Sequence, residues 1–208
     1  MSDTPNHVSD VSGFLQTLAK LLFRLTGWKT EGGVHQPPRF VIIAAPHTSN
    51  WDAVIMLIAA HIFGVRITWF IKREAFFWPL GPIIRYFGAI PIDRTKRSNV
   101  VGQAIEQFKQ SERLILAVPP EGTRKKSHGW KTGFYYIAHG AGVPIVLGYI
   151  DYKRKVAGLG PAFVPTGDIA ADFEVFDNFY AGVTPKHPAD RGVVVARAAE
   201  AQESATGN

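Results

Sequence analysis

The chain has 208 residues, no cysteine, and a hydrophobic fraction of 46%. That length fits one domain with a sizeable core. The missing cysteines exclude disulfides, thiolate metal sites and a cysteine nucleophile, in keeping with a reducing compartment. Lysine and arginine number 23 against 17 acidic residues, a formal net charge of +6, which favours phosphate-bearing partners or an anionic membrane surface.

Taken in order, residues 1–10 are polar and read as a loose tail without the pattern of a secretory leader. From Ser12 to Trp28, Phe14, Leu15, Leu18, Leu22 and Leu25 recur at helical spacing, with Lys20 and Arg24 off the stripe. Two readings stay open: a helix docked on the core, or a basic amphipathic helix lying on a membrane with Trp28 at headgroup level. Tail and helix together form an N-terminal unit, 1–35. Gly27, Gly32-Gly33 and Pro37-Pro38 mark a loop before the first strand.

Phe40 to Ala44 reads as that strand, a polar turn follows, and Val54, Ile55, Leu57 and Ile58 begin a helix. Ala53 to Ile71 is broken by His61, Gly64 and Arg66, so its clean part is too short to cross ~30 Å of hydrocarbon. Val65 to Ile71 is β-rich. An aromatic stretch through Trp78 leads to a short helix at Ile83–Phe87 and a strand at Ala89–Ile92. A helix over Val100–Lys109, a buried strand over Arg113–Val118, a helix over Gly133–His139 and a strand over Val143–Ile150 come next. Glycine-rich turns after Asp151 precede a last helix, Asp172–Tyr180, and the tail 185–208 reads as weakly ordered. Strands and helices alternate. The expected fold is α/β: a single domain, 36–184, with a mainly parallel central sheet flanked by helices.

The turn Pro46-His47-Thr48-Ser49-Asn50-Trp51-Asp52 carries chemistry. A reversing loop can bring His47 and Asp52 together, and Asp52 near the helix start is kept ionised by the helix dipole. An ionised carboxylate on one imidazole nitrogen makes the other a base for a hydroxyl proton. Equally open is a capping role for Ser49 or Asn50, with His47 an ordinary loop residue. Two later loops also leave strand ends: Asp93-Arg94, and Glu121-Gly122-Thr123-Arg124 followed by Lys125-Lys126. Parallel strands place such loops on one edge of a sheet. Arg94 and Arg124 can fork onto phosphate oxygens. Gly122 permits close backbone approach, Thr123 offers a hydroxyl, and Glu121 can hold an arginine or accept from a substrate hydroxyl. Alternatively these are surface ion pairs of little energetic weight. Trp69, Phe76, Phe77 and Trp78 fit either a membrane-facing patch, an acyl-channel wall or core packing. No metal-ligand spacing appears.

Four blocks in order resemble the glycerolipid acyltransferases related to 1-acyl-sn-glycerol-3-phosphate acyltransferase. His47-Thr48-Ser49-Asn50-Trp51-Asp52 matches their His-x4-Asp motif, and Gly88-Ala89-Ile90-Pro91-Ile92-Asp93-Arg94 is similar to their second. Pro120-Glu121-Gly122-Thr123-Arg124 matches the third, and Val143-Pro144-Ile145-Val146 is similar to the fourth. The resemblance spans about Arg39 to Tyr152. It implies His47 as general base and Asp52 as its orienting acid. It implies that Arg94, Glu121, Gly122 and Arg124 bind the phosphate and glycerol part of an acceptor with help from Thr123, and that Pro144 shapes the acyl-donor side. The implied partners are acyl-CoA or acyl carrier protein as co-substrate, a lysophospholipid acceptor, and a membrane surface met through basic and aromatic faces. No other cofactor is expected, nor nucleic acid. The implied place is cytoplasmic, on the inner face of a membrane. Pro91, Pro119 and Lys125 depart from the family's pattern and leave the acceptor open. The resemblance also implies direct attack of the acceptor hydroxyl on the thioester, which agrees with the absence of a Gly-x-Ser-x-Gly elbow. Two other functions remain: an acyl-thioester hydrolase, and a basic nucleic-acid-binding module.

Overall fold

The computed structural model describes residues 12–33, 38–92 and 97–197. Five strands build the main sheet: β1 (Lys29–Glu31), β2 (Arg39–Ala45), β5 (Leu114–Val118), β6 (Ile145–Asp151) and β7 (Val156–Phe163). Their order is β1-β7-β6-β2-β5. All neighbours run parallel except the β6–β7 hairpin. Two further strands, β3 (Trp69–Lys72) and β4 (Ala89–Ile92), pair parallel in a small second sheet. Thr68 joins the two sheets: its N–H donates to Ile115 O and its carbonyl accepts from Ala117 N–H, each at 2.7 Å.

β2 is an interior strand, between β6 and β5, and its sequence suits burial on both faces. Val41, Ile43 and Ala45 face one core, whereas Phe40 and Ile42 face another. The first core is closed by α4 (Arg97–Gln110), α5 (Gly133–Ala141) and α6 (Ile169–Tyr180), through Phe108, Phe134, Ile137, Phe173 and Phe176. The second face is covered by α2 (Trp51–Ile62), which carries α1 (Gly13–Thr26) on its outer side. Helix layers on both faces of a largely parallel sheet are the predicted architecture. A short helix, α3 (Leu80–Tyr86), connects β3 to β4.

α1 is capped by Ser12, whose hydroxyl accepts from Leu15 N–H, and it ends at Gly27 in the left-handed region. It buries Ala19 and Phe23, and Gln16 Nε2 donates to Ile62 O at 3.0 Å. Phe14, Leu18, Leu21, Leu22 and Leu25 stay exposed, so the helix presents a second apolar side to solvent.

Three expectations are corrected. The turns expected after Asp151 contain strand β7, whose glycines hide its character. A Cβ at Gly158 would strike the Tyr149 ring, and one at Gly160 the ring of Phe179. The loop expected before the first strand holds β1, too short to show a period. Residues 185–197, expected to be weakly ordered, pack on the domain. Val194 is buried, Ala196 bridges Trp130, and Trp130 N–H donates to Val195 O at 2.7 Å.

Candidate active site

The β2–β5 register pairs Ile43 with Val118, and the β2–β6 register pairs Ala45 with Tyr149. Parallel strands in that register release their following loops from one edge of the sheet. The loops carrying His47, Glu121 and Tyr152 therefore emerge side by side.

His47 Nδ1 lies 3.2 Å from Asp52 Oδ2. The same oxygen accepts the main-chain N–H groups of Thr48 and Ser49, both at 2.9 Å, and Oδ1 accepts the Tyr152 hydroxyl at 2.6 Å. Asp52 is 4% exposed. Burial alone would raise its pKa, but the hydrogen bonds from His47, Tyr152 and Ser49 outweigh it and hold the carboxyl below the usual range. An ionised Asp52 fixes the proton of His47 on Nδ1 and leaves Nε2 as the free lone pair.

Glu121 is equally buried, at 4% exposure. Its Oε2 accepts the main-chain N–H of His47 at 2.7 Å. Burial raises its pKa against the opposing pull of that N–H. Glu121 thus pins the His47 loop from within. Gly122 follows with φ of 65°, and a Cβ there would come within 2.7 Å of the Lys131 side chain, so glycine suits this turn on both counts. Thr123 Oγ1 accepts from Lys125 N–H in an exposed turn. The Arg124 guanidinium donates to Asn50 Oδ1, which brings that cation beside the start of α2.

The structure therefore gathers His47, Asp52, Glu121, Gly122 and Arg124 around one edge. Arg94 lies outside the described residues. Pro144 sits elsewhere: its carbonyl accepts Val41 N–H at 3.0 Å, at the edge where β6 begins, opposite the end that carries His47. Three neighbours had no sequence signal of their own. Tyr152 ends on the same edge as the motif loops. His187 N–H donates to Thr48 Oγ1 at 3.2 Å. The Lys186 ammonium lies 5.3 Å from the Trp51 ring centroid and 6.0 Å from that of Tyr152. The rule that strand ends converge would have found Tyr152; nothing in a proline-flanked tail marks Lys186.

Behind the dyad runs a cavity of about 250 Å³ between the sheet and α2. His47 and Asp52 stand in its wall, with Met56, Leu57, Ala60, Phe63 and Trp69 among its apolar lining. Of the aromatic candidates, Trp69 belongs to this wall, Phe76 is half-buried under Arg85, and Phe77 and Trp78 are exposed. His61 Nδ1 meets Leu57 O within its own helix at 2.7 Å, and His139 stacks on Tyr135. Among the described residues no three His, Asp or Glu side chains gather as a metal-holding group.

Comparison with known proteins supports the fold. No curated protein matches the chain. Among solved structures, the crystal structure of the 1-acyl-sn-glycerophosphate (LPA) acyltransferase PlsC from Thermotoga maritima is similar. The TM-score is 0.54 at 20% identity, covering 74% of this chain and 69% of that one. The Acyltransferase family model matches residues 31–149, more than half of the chain, and includes the loops that carry His47 and Glu121. The chain belongs to the Acyltransferase family.

Proposed function

We propose that this O-acyltransferase moves a fatty acyl group from a thioester of coenzyme A or acyl carrier protein to the hydroxyl of a lysophospholipid, 1-acylglycerol-3-phosphate first among them. The observation that supports it is the His47–Asp52 pair standing in the wall of an apolar cavity, with the Arg124 guanidinium bonded to Asn50 in the same loop. The cavity accepts an alkyl chain, each methylene of which contributes roughly 0.8 kcal/mol on burial. Arg124 meets the acceptor's phosphate.

In this reading His47 Nε2 takes the proton of the acceptor hydroxyl as its oxygen attacks the thioester carbonyl. The tetrahedral adduct collapses, the C–S bond breaks, and the imidazolium returns its proton to the departing thiolate. Asp52 stabilises the imidazolium. General-base assistance supplies about 10²–10⁴-fold, and the remainder comes from positioning and oxyanion stabilisation.

No helix among the described residues is long and apolar enough to cross a membrane. The exposed leucines of α1, with Lys20 and Arg24, support peripheral attachment to an anionic inner leaflet. Purified protein offered acyl-CoA or acyl carrier protein with a panel of lysolipids tests the whole reading. Mass spectrometry should find the diacyl product. Thiol release independent of any lipid acceptor would instead identify a hydrolase.

A further inference from the structure

Tyr152 follows β6 directly and lies beyond the segment matched by the family model. Its hydroxyl donates to Asp52 Oδ1 at 2.6 Å. The other carboxylate oxygen, Oδ2, faces His47 and takes the Thr48 and Ser49 N–H groups. Each oxygen of Asp52 therefore has its own donors. A carboxylate turns easily about its last torsion, which is broad and roughly two-fold, and donors on both oxygens remove that freedom.

The Tyr152 ring is itself held. Trp28 meets it edge-on at 5.2 Å between centroids, and its main-chain N–H donates to Thr184 O at 2.9 Å. Burial and the adjoining Asp52 push the phenol far above its ordinary pKa, so it remains a donor at any working pH.

We propose that Tyr152 is a positioning residue of the acyl-transfer reaction, holding Oδ1 so that Oδ2 stays aligned on His47 Nδ1. This rests on the reading of His47 as the base. The charged and titratable groups around the pair are His47 on its loop, Glu121 after β5, Arg124 at Asn50, and Lys186 over the Tyr152 ring. A Tyr152→Phe change leaves all of them in place and keeps the ring against Trp28.

The test is Tyr152→Phe in the full chain, with kcat and both KM values measured across pH beside a thermal melt. The expected kcat falls about tenfold, as for loss of one hydrogen bond to a charged group, and both KM values stay within about twofold. Wild-type kcat would overturn the proposal, as would an effect confined to KM or one that merely tracks a lowered melting temperature. His47→Ala in the same assay separates the two levels. Turnover retained there removes the base itself. Turnover abolished there, with Tyr152→Phe indistinguishable from wild type, removes only the positioning role.

Discussion

The main-chain N–H of His47 donates to the Glu121 carboxylate at 2.7 Å, across 74 positions of sequence. The residue proposed to take the proton is anchored through its backbone to the loop of a neighbouring strand. Because Glu121 is buried and its pKa is raised, the stabilising contribution of its neutral form is complete below the unfolded value of about 4.3 and is lost as pH rises through the folded value. Glu121→Gln keeps an oxygen for His47 and buries no charge. Its melting temperature should equal wild type near pH 4 and exceed it increasingly toward pH 7. A difference that does not change with pH would refute the assignment.

His47→Ala should lower kcat by about 10²–10⁴-fold with little change in melting, since the half-buried ring belongs to no apolar cluster. Asp52→Asn should also lose most activity and behave differently in acid. The folded Asp52 pKa is depressed, so its stabilising contribution is present above about 3.9 and disappears as pH falls through the folded value. The Asn variant should be less stable than wild type at pH 7, and that deficit should shrink as both are titrated below pH 4.

Arg124 is the described cation nearest the start of α2 within the motif loops. Arg124→Ala should raise KM for a phosphorylated acceptor on the order of tenfold or more and leave KM for the acyl donor nearly unchanged. Equal effects on both substrates would contradict the phosphate role.

Ala60 lines the cavity two helical turns beyond Asp52. Ala60→Phe should shift donor preference toward shorter acyl chains while turnover with a short donor persists. Overpacking should cost about 1–3 kcal/mol of stability. Unaltered chain-length preference in a folded variant would show that the acyl chain lies elsewhere.

Phe14 and Leu25 are 77% and 74% exposed on α1. Replacing both by Glu should reduce sedimentation with anionic vesicles roughly tenfold or more and leave the melting temperature unchanged. Undiminished vesicle binding would remove α1 from the membrane face.

The sequence announced the elements that carry strong periodicity or a complete strand-to-helix transition. β2, α2, β5 and the His47 turn fall where residue pattern places them, and pattern plus the rule for parallel strands suffices to bring Glu121 toward His47. β7 escaped because Gly158 and Gly160 are there to clear the Tyr149 and Phe179 rings, a requirement visible only across strands. The side chain of Asp168 caps α6 by accepting from the Ala170 and Ala171 N–H groups. Glu121 shows the deeper limit. Its type suited contact with a substrate, yet its burial turns it inward to a backbone donor, and burial is decided by the whole sheet.

His47 and Asp52 are five residues apart, whereas Glu121 and Tyr152 reach them from strands added on either side of β2. The His47–Asp52 pair is thus a local product and its rigidity a distant one. During refolding, helical signal can return early, because its contacts are near in sequence, while pairings that span a hundred residues close later. Recovery of turnover should consequently lag recovery of helix, and the interval between them reports the docking of the two flanking strands.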